Sequence, residues 1–246
     1  MTNIELSNHP FYLSSISSQA TEHVLERYPS GAKQRAEYCR GETVVGFRSF
    51  YETGELQNES SIQNGVSHGV QYRWDELGFL ISAEPYEAGL AHGIAKQWHQ
   101  GQLIGSYTMV HGTGLDLWWQ SSDRLIWLSE ARYYRDGYRD GFEWWINHDQ
   151  CSIYQECHFQ KGLSHGIERE WNLKGRLRRG FPKYWINDQQ VTKRQYLAAC
   201  KLDPTLPPFR ESDNNSQFGS SGPSQLKRQL PPEVLAALGP KPLNPE

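Results

Sequence analysis

The sequence predicts an all-β chain: a single elongated, curved antiparallel sheet of about seven tandem β-hairpin repeats. Three observations carry this. Apolar residues alternate with polar ones in short runs, a glycine-rich turn recurs at fixed spacing, and the chain holds nine Trp, thirteen Tyr and nine Phe against only two Met. Period-two alternation marks strands with one buried face, and aromatic residues suit pleated surfaces better than helices.

The repeat sets the organisation. Gly54 with Gly65, Gly78 with Gly89, and Gly101 with Gly112 keep one spacing, and the turn GVSHG (65–69) returns as GLAHG (89–93) and GLSHG (162–166). An aliphatic residue follows two positions after each opening position (Leu56, Leu80, Leu103, Leu128, Ile153, Leu177), and an apolar one stands six residues further on (Ile62, Tyr86, Met109, Tyr134, Phe159). An even separation places both on one strand face. Bulky residues then alternate after the turn, as in Val70, Tyr72 and Trp74. Two strands per unit of roughly 23–25 residues make each unit a hairpin. Units begin near Val24, Phe47, Val70, Ile94, Trp118, Phe142 and Ile167, with the terminal ones most degenerate.

This gives four segments. Residues 1–23 flank the repeats, 24–190 form the repeat domain, 191–203 a capping helix, and 204–246 a disordered tail rich in Pro, Ser and Gly. Thr192 followed by Gln195 has the form of a capping box, with Val191, Tyr196, Leu197 and Cys200 as the docking side. Within the tail, LPPEVLAAL (230–238) has the pattern of a short helix with Pro at its start.

The turns read as architecture. Gly65, Gly69, Gly89, Gly93, Gly162 and Gly166 supply positive φ, and His68, His92 and His165 sit where a polar side chain bonds local backbone. Asp140 takes the histidine's place in another unit, an exchange a metal ligand would not tolerate. No carboxylate or cysteine is seen in sequence to complete a coordination set, so no metal is expected. The four cysteines lack CxxC spacing and read as reduced thiols.

The units YETGELQNESSIQNGVSHG, WDELGFLISAEPYEAGLAHG and WHQGQLIGSYTMVHG resemble the variant MORN repeat over about residues 24–190. The fifth unit, SSDRLIWLSEARYYRDG, lacks the opening glycine, and Cys151 stands at that position in the sixth. The resemblance implies a sheet of hairpins acting as a binding or assembly platform. Many bacterial relatives of the variant form carry an antitoxin label, and better known MORN proteins are linked to phosphoinositide membranes, to self-association or to enzyme domains on the same chain.

Function classes narrow accordingly. A net charge of −3 argues against nucleic acid as the default partner. The start, MTNIELSNHPFYLSS, has neither a basic nor an apolar leader region, which with the absence of a long apolar window reads as soluble and cytoplasmic. There is no GxSxG, P-loop, HExxH or dinucleotide glycine pattern. Glu37, Glu59, Glu84, Glu130 and Glu156 read as cross-strand partners of residues such as Arg132. The expectation is a non-enzymatic scaffold without cofactor that binds a protein partner, in antitoxin-like neutralisation where the resemblance extends that far. A peripheral module for acidic phospholipid and an enzyme with an unrecognised site are the alternatives. Phe50, Trp119 and Trp145 fall on the nominally polar face, the two tryptophans at corresponding places in LWWQ and EWWI, and together form the expected partner patch. Coverage by residues 1–23 or by the segment after 184 is the competing expectation.

Overall fold

The computed structural model describes residues 11–122, 125–172, 174–214, 230–239, 241 and 242. It is all-β and antiparallel, with hairpins in tandem, and divides into two compact units, Met1–Gly112 and Thr113–Glu246.

The first unit contains β1 (Thr21–Arg27), β2 (Lys33–Arg40), β3 (Thr43–Phe50), β4 (Leu56–Gln63), β5 (Val66–Ser67), β6 (Gly69–Trp74), β7 (Leu80–Glu87), β8 (Leu90–Ala91), β9 (Gly93–His99) and β10 (Gln102–Val110). The second contains β11 (Thr113–Ser121), β12 (Leu125–Arg135), β13 (Tyr138–Ile146), β14 (Ile153–Gln160), β15 (Leu163–Ser164), β16 (Gly166–Glu170), β17 (Lys183–Ile186) and β18 (Gln189–Val191). Helices α1 (Lys193–Ala199) and α2 (Pro232–Ala237) come after these strands, then β19 (Lys241–Pro242), which pairs with Leu125 and Ile126.

One register device repeats through both units. In the hairpins β3–β4, β6–β7, β11–β12 and β13–β14, the pairing slips by one residue near the loop end, leaving Gln57, Ile81, Ser129 and Tyr154 as extra residues. Beyond the slip, Phe50 faces Leu56, Trp74 faces Leu80, Trp119 faces Leu128 and Ile146 faces Ile153. All eight are buried. The hairpin β9–β10 slips in the same way, with buried Trp98 opposite Leu103 and Ile104 as the extra residue. An unpaired bulge residue inverts the phase of the strand beyond it, so Leu56 and Ile62 lie on opposite faces despite their even separation. That corrects the parity expected from spacing alone.

The buried face is covered by the ends of the chain. In the first unit Phe11 stacks on Trp98, Tyr12 meets Tyr72 and Trp74 edge-on, and Ile16 enters the core. The Tyr12 and Ser14 hydroxyls both donate to Glu59, which also receives Arg48 Nε at 2.8 Å. Glu59 lies directly across the strand pair from Arg48, and its side chain is wholly buried. Burial beside Glu59 pushes the Tyr12 hydroxyl above its usual range, so it stays a neutral donor.

The second unit builds the same arrangement with other residues. Glu156 lies across from Arg169 and accepts its Nη1 at 2.5 Å and Trp144 Nε1 at 3.0 Å, while Asn214 accepts Arg169 Nε at 3.0 Å. Burial raises the Glu156 carboxyl even though Arg169 and Trp144 pull it down. Helix α1 has the expected capping box between Thr192 and Gln195, and Tyr196 packs on Ile167, Tyr184 and Leu206.

The tail expectation needs correction. Leu206 is buried among Ile167, Tyr184 and Tyr196, Leu230 is buried, and Val234 of α2 is fully so, burial that this composition does not achieve on its own. Residues 215–229, 240 and 243–246 lie outside the described residues.

Removing one partner from a buried ion pair strands the other charge. Glu59→Ala should therefore destabilise the protein by about 3–5 kcal/mol in chemical denaturation, and the double variant Arg48→Leu, Glu59→Leu should recover much of that loss.

Candidate functional site

The repeated turn resolves first. Gly69, Gly93, Gly141 and Gly166 have φ of 87°, 115°, 118° and 153°, and a Cβ on Gly166 would come within 2.6 Å of His158 Cβ. At Gly93, Gly141 and Gly166, and at Gly114, the side chain just before the glycine accepts a backbone N–H from the following turn. His92 Nδ1 accepts from His111 N at 3.1 Å, Thr113 Oγ1 from Asp136 N at 3.1 Å, Asp140 Oδ2 from Lys161 N at 3.2 Å, and His165 Nδ1 from Asn187 N at 3.3 Å. Each donor residue has positive φ, between 46° and 52°. The role is an acceptor's, which explains why His, Thr and Asp interchange. Its reach, however, is to the next turn and not to the local backbone expected from sequence.

The expected aromatic patch divides. Phe50 and Trp119 are 7% and 8% exposed and belong to the series of buried pairs beyond the slips, so neither presents a partner surface. The reason is register. Trp119 follows Leu115 and Leu117 on the buried face, as Trp74 follows Val70 and Tyr72, so the fifth unit begins at Leu115 and not at Trp118. Phe50 shares its face with Arg48 and Gly46, as Trp74 does with Tyr72 and Val70, so that unit is counted from Gly46 and not from Phe47. Trp119 and Trp145 therefore do not correspond; the residue equivalent to Trp145 is Trp118.

Trp145 does lie on the opposite face, and it is half-buried. Glu130 and Gln155 flank it on the neighbouring strands, and Glu170 follows Gln155 in the same row. In the adjoining row Arg132 lies across from Glu143, with Nε to Oε1 at 2.9 Å, and reaches Asp116 at 3.5 Å and Glu130. Arg139 also meets Glu143 at 3.1 Å. Three carboxylates thus converge on Arg132, beside an indole. At the next strand Trp185 Nε1 donates to Glu168 at 2.9 Å. Among the described residues, the terminal segments place their hydrogen bonds and ring contacts on the other face, at Glu59, Tyr72, His165, Arg169 and Tyr184.

A second feature of this unit is a groove of about 710 Å³, lined by Tyr133, Phe142, His158 and Phe159 together with Arg135, Tyr138, Asp140 and Lys161. That size lies within the range of ligand clefts. Three of its polar side chains are already committed. Asp140 caps the next turn and meets Arg135 at 3.8 Å, while His158 donates from Nδ1 to the His165 carbonyl at 2.5 Å. Burial holds the His158 imidazole below its usual range, hence neutral, and pushes the neighbouring Cys157 thiol up to about 12, which leaves it protonated and poorly nucleophilic.

A third feature escaped the sequence. Glu87, His92 and His111 bring one ligand atom each within 4.8 Å of one another. The residues are separated by strands, and His111 stands before a unit's closing glycine and not at the histidine position of the GxxHG turn, so only the turn-to-turn stacking reveals the cluster.

No protein-family model matches this chain, and a search of curated proteins finds no match. No described helix is long and apolar enough to cross a membrane.

Truncating a buried tryptophan removes packed area and leaves a cavity. Trp119→Ala should lower unfolding free energy by about 3–5 kcal/mol, and Trp145→Ala by less than half as much, as read by denaturant titration.

Proposed function

We propose that the protein is a non-enzymatic hairpin-repeat scaffold that binds a protein partner through the face of its second unit that carries Trp145. The observation behind this reading is the half-buried indole set among Glu130, Arg132, Glu143 and Gln155, opposite the face that the chain's own ends cover. Indoles beside carboxylates suit a cationic side chain, through cation–π attraction and ion pairing together. The partner is accordingly a protein that presents arginine or lysine. Neutralisation of a toxin is the specific form suggested by the resemblance to variant MORN repeats, and the cytoplasm is the compartment that fits the cysteine usage.

Capture from native lysate by the full chain, with three variants beside it, tests this reading. A partner should bind the wild type, weaken with added salt, and be lost by Trp145→Ala and by Gln155→Lys, which adds a like charge without opening a cavity. Tyr138→Ala, in the groove lining, should retain it. Loss with Tyr138→Ala alone would move the site to the groove, and flotation with anionic liposomes in place of protein capture would favour the membrane module.

A further inference from the structure

Glu87, His92 and His111 come from three consecutive stretches of the first unit: the last residue of β7, the turn before β9, and the turn after β10. The two imidazoles lie over one another with ring centroids 4.1 Å apart and planes tilted by 32°. Glu87 Oε2 stands 3.6 Å from His92 Nε2. The cluster is open to water, with Glu87 and His111 exposed and His92 half-buried. Elsewhere the residue at the position of His111 is Asn64, Ala88, Asp136, Lys161 or Asn187, so this is the one described pair of turns that sets imidazole over imidazole. Of the other close histidines, His158 spends Nδ1 on the His165 carbonyl, and His165 spends both nitrogens on Thr205 and Asn187.

We infer that Glu87, His92 and His111 form a binding site for a divalent cation of the zinc class, with water completing the coordination. Two imidazoles and a carboxylate are a donor set that zinc accepts in open sites, at bond lengths of about 2.0–2.2 Å. Ligand atoms in such a tetrahedron lie about 3.4 Å apart, so closing from the present separation needs only side-chain rotation of exposed groups.

The hydrogen bonds dictate how the metal enters. His92 Nδ1 now accepts the His111 backbone N–H, so the neutral ring carries its proton on Nε2, the nitrogen facing Glu87. Coordination through Nε2 takes the other neutral tautomer, so the proton leaves Nε2 to solvent and one is taken up at Nδ1. A protonated Nδ1 no longer accepts from His111. The metal therefore exchanges one hydrogen bond between successive turns for a coordinated bridge between the same two turns. Affinity should fall with acid, since protons compete for the same imidazoles.

The test is calorimetric titration of the full chain with zinc(II) alone, for the wild type and for Glu87→Gln, His111→Ala and Cys151→Ala. The first two change exposed side chains, and far-ultraviolet circular dichroism checks that both fold as the wild type does. The expected result is one zinc equivalent in the wild type, bound at least about tenfold more weakly by Glu87→Gln and His111→Ala and unchanged by Cys151→Ala. Nitrogen-15 spectra of the histidine rings should show His92 Nδ1 passing from unprotonated to protonated as zinc is added. Zinc binding that survives both exposed variants, a His92 tautomer that does not respond, or no binding at millimolar zinc would overturn the assignment.

Discussion

The recurrent one-residue slip in the hairpins is the constraint on which the rest of the structure depends. Without it, the aromatic residue at the end of each first strand and the aliphatic residue at the start of the next would point to opposite faces. The bulge brings Phe50 and Leu56, Trp74 and Leu80, and Trp119 and Leu128 to one side as buried pairs. That side becomes continuous apolar surface within each unit and must be covered. The chain uses its own ends for the purpose, through Phe11, Tyr12 and Ile16 in the first unit and Leu206 and Phe209 in the second.

Covering one face creates the polar centres of the core. Each unit places a carboxylate opposite an arginine in the middle row, Glu59 with Arg48 and Glu156 with Arg169, and each pair receives further donors or acceptors from the covering segment. A buried ion pair contributes little net stability against an apolar replacement, because desolvation offsets attraction. Its effect is on specificity. Tyr12 and Ser14 fit at Glu59 in one register only, so the pair fixes where the terminal segment lies as well as that it lies there.

Much of this fold was legible in the sequence because hairpin, turn glycine and capping box are local signals. The strand alternation, the glycines and the Thr192–Gln195 cap appear where local chemistry puts them. What was not legible depends on pairing. Parity counted along one strand cannot detect a bulge within it, which put Leu56 and Ile62 on one face, and counting units from Phe47 and Trp118 instead of Gly46 and Leu115 placed Phe50 and Trp119 on the wrong face. Turn histidines were readable as polar turn residues, but their hydrogen bonds run to turns about twenty residues away, which only stacking of successive units reveals. The same distance hid His111. The burial of Val234 in α2 was hidden for a related reason: a six-residue helix has no stability alone, and its own sequence does not show what covers it.

The interchange of His, Thr and Asp at the capping position separates what the turns require from what they permit. They require an acceptor near 3.1–3.3 Å from the next turn's amide, and a hydroxyl, a carboxylate or an imidazole nitrogen each satisfies that. Thr113 meets the need with no second polar atom, so the imidazole's other nitrogen is surplus to the turn. In His165 that surplus is absorbed by Thr205 and Asp203 of the covering segment, which ties the turn to the C-terminal layer. In His92 it faces Glu87 and solvent beside a second imidazole. Repetition fixes the first nitrogen's task, and only the surroundings of each turn decide the second's, so chemistry can be added at one turn with the exchange of that turn's own hydrogen bond and no other.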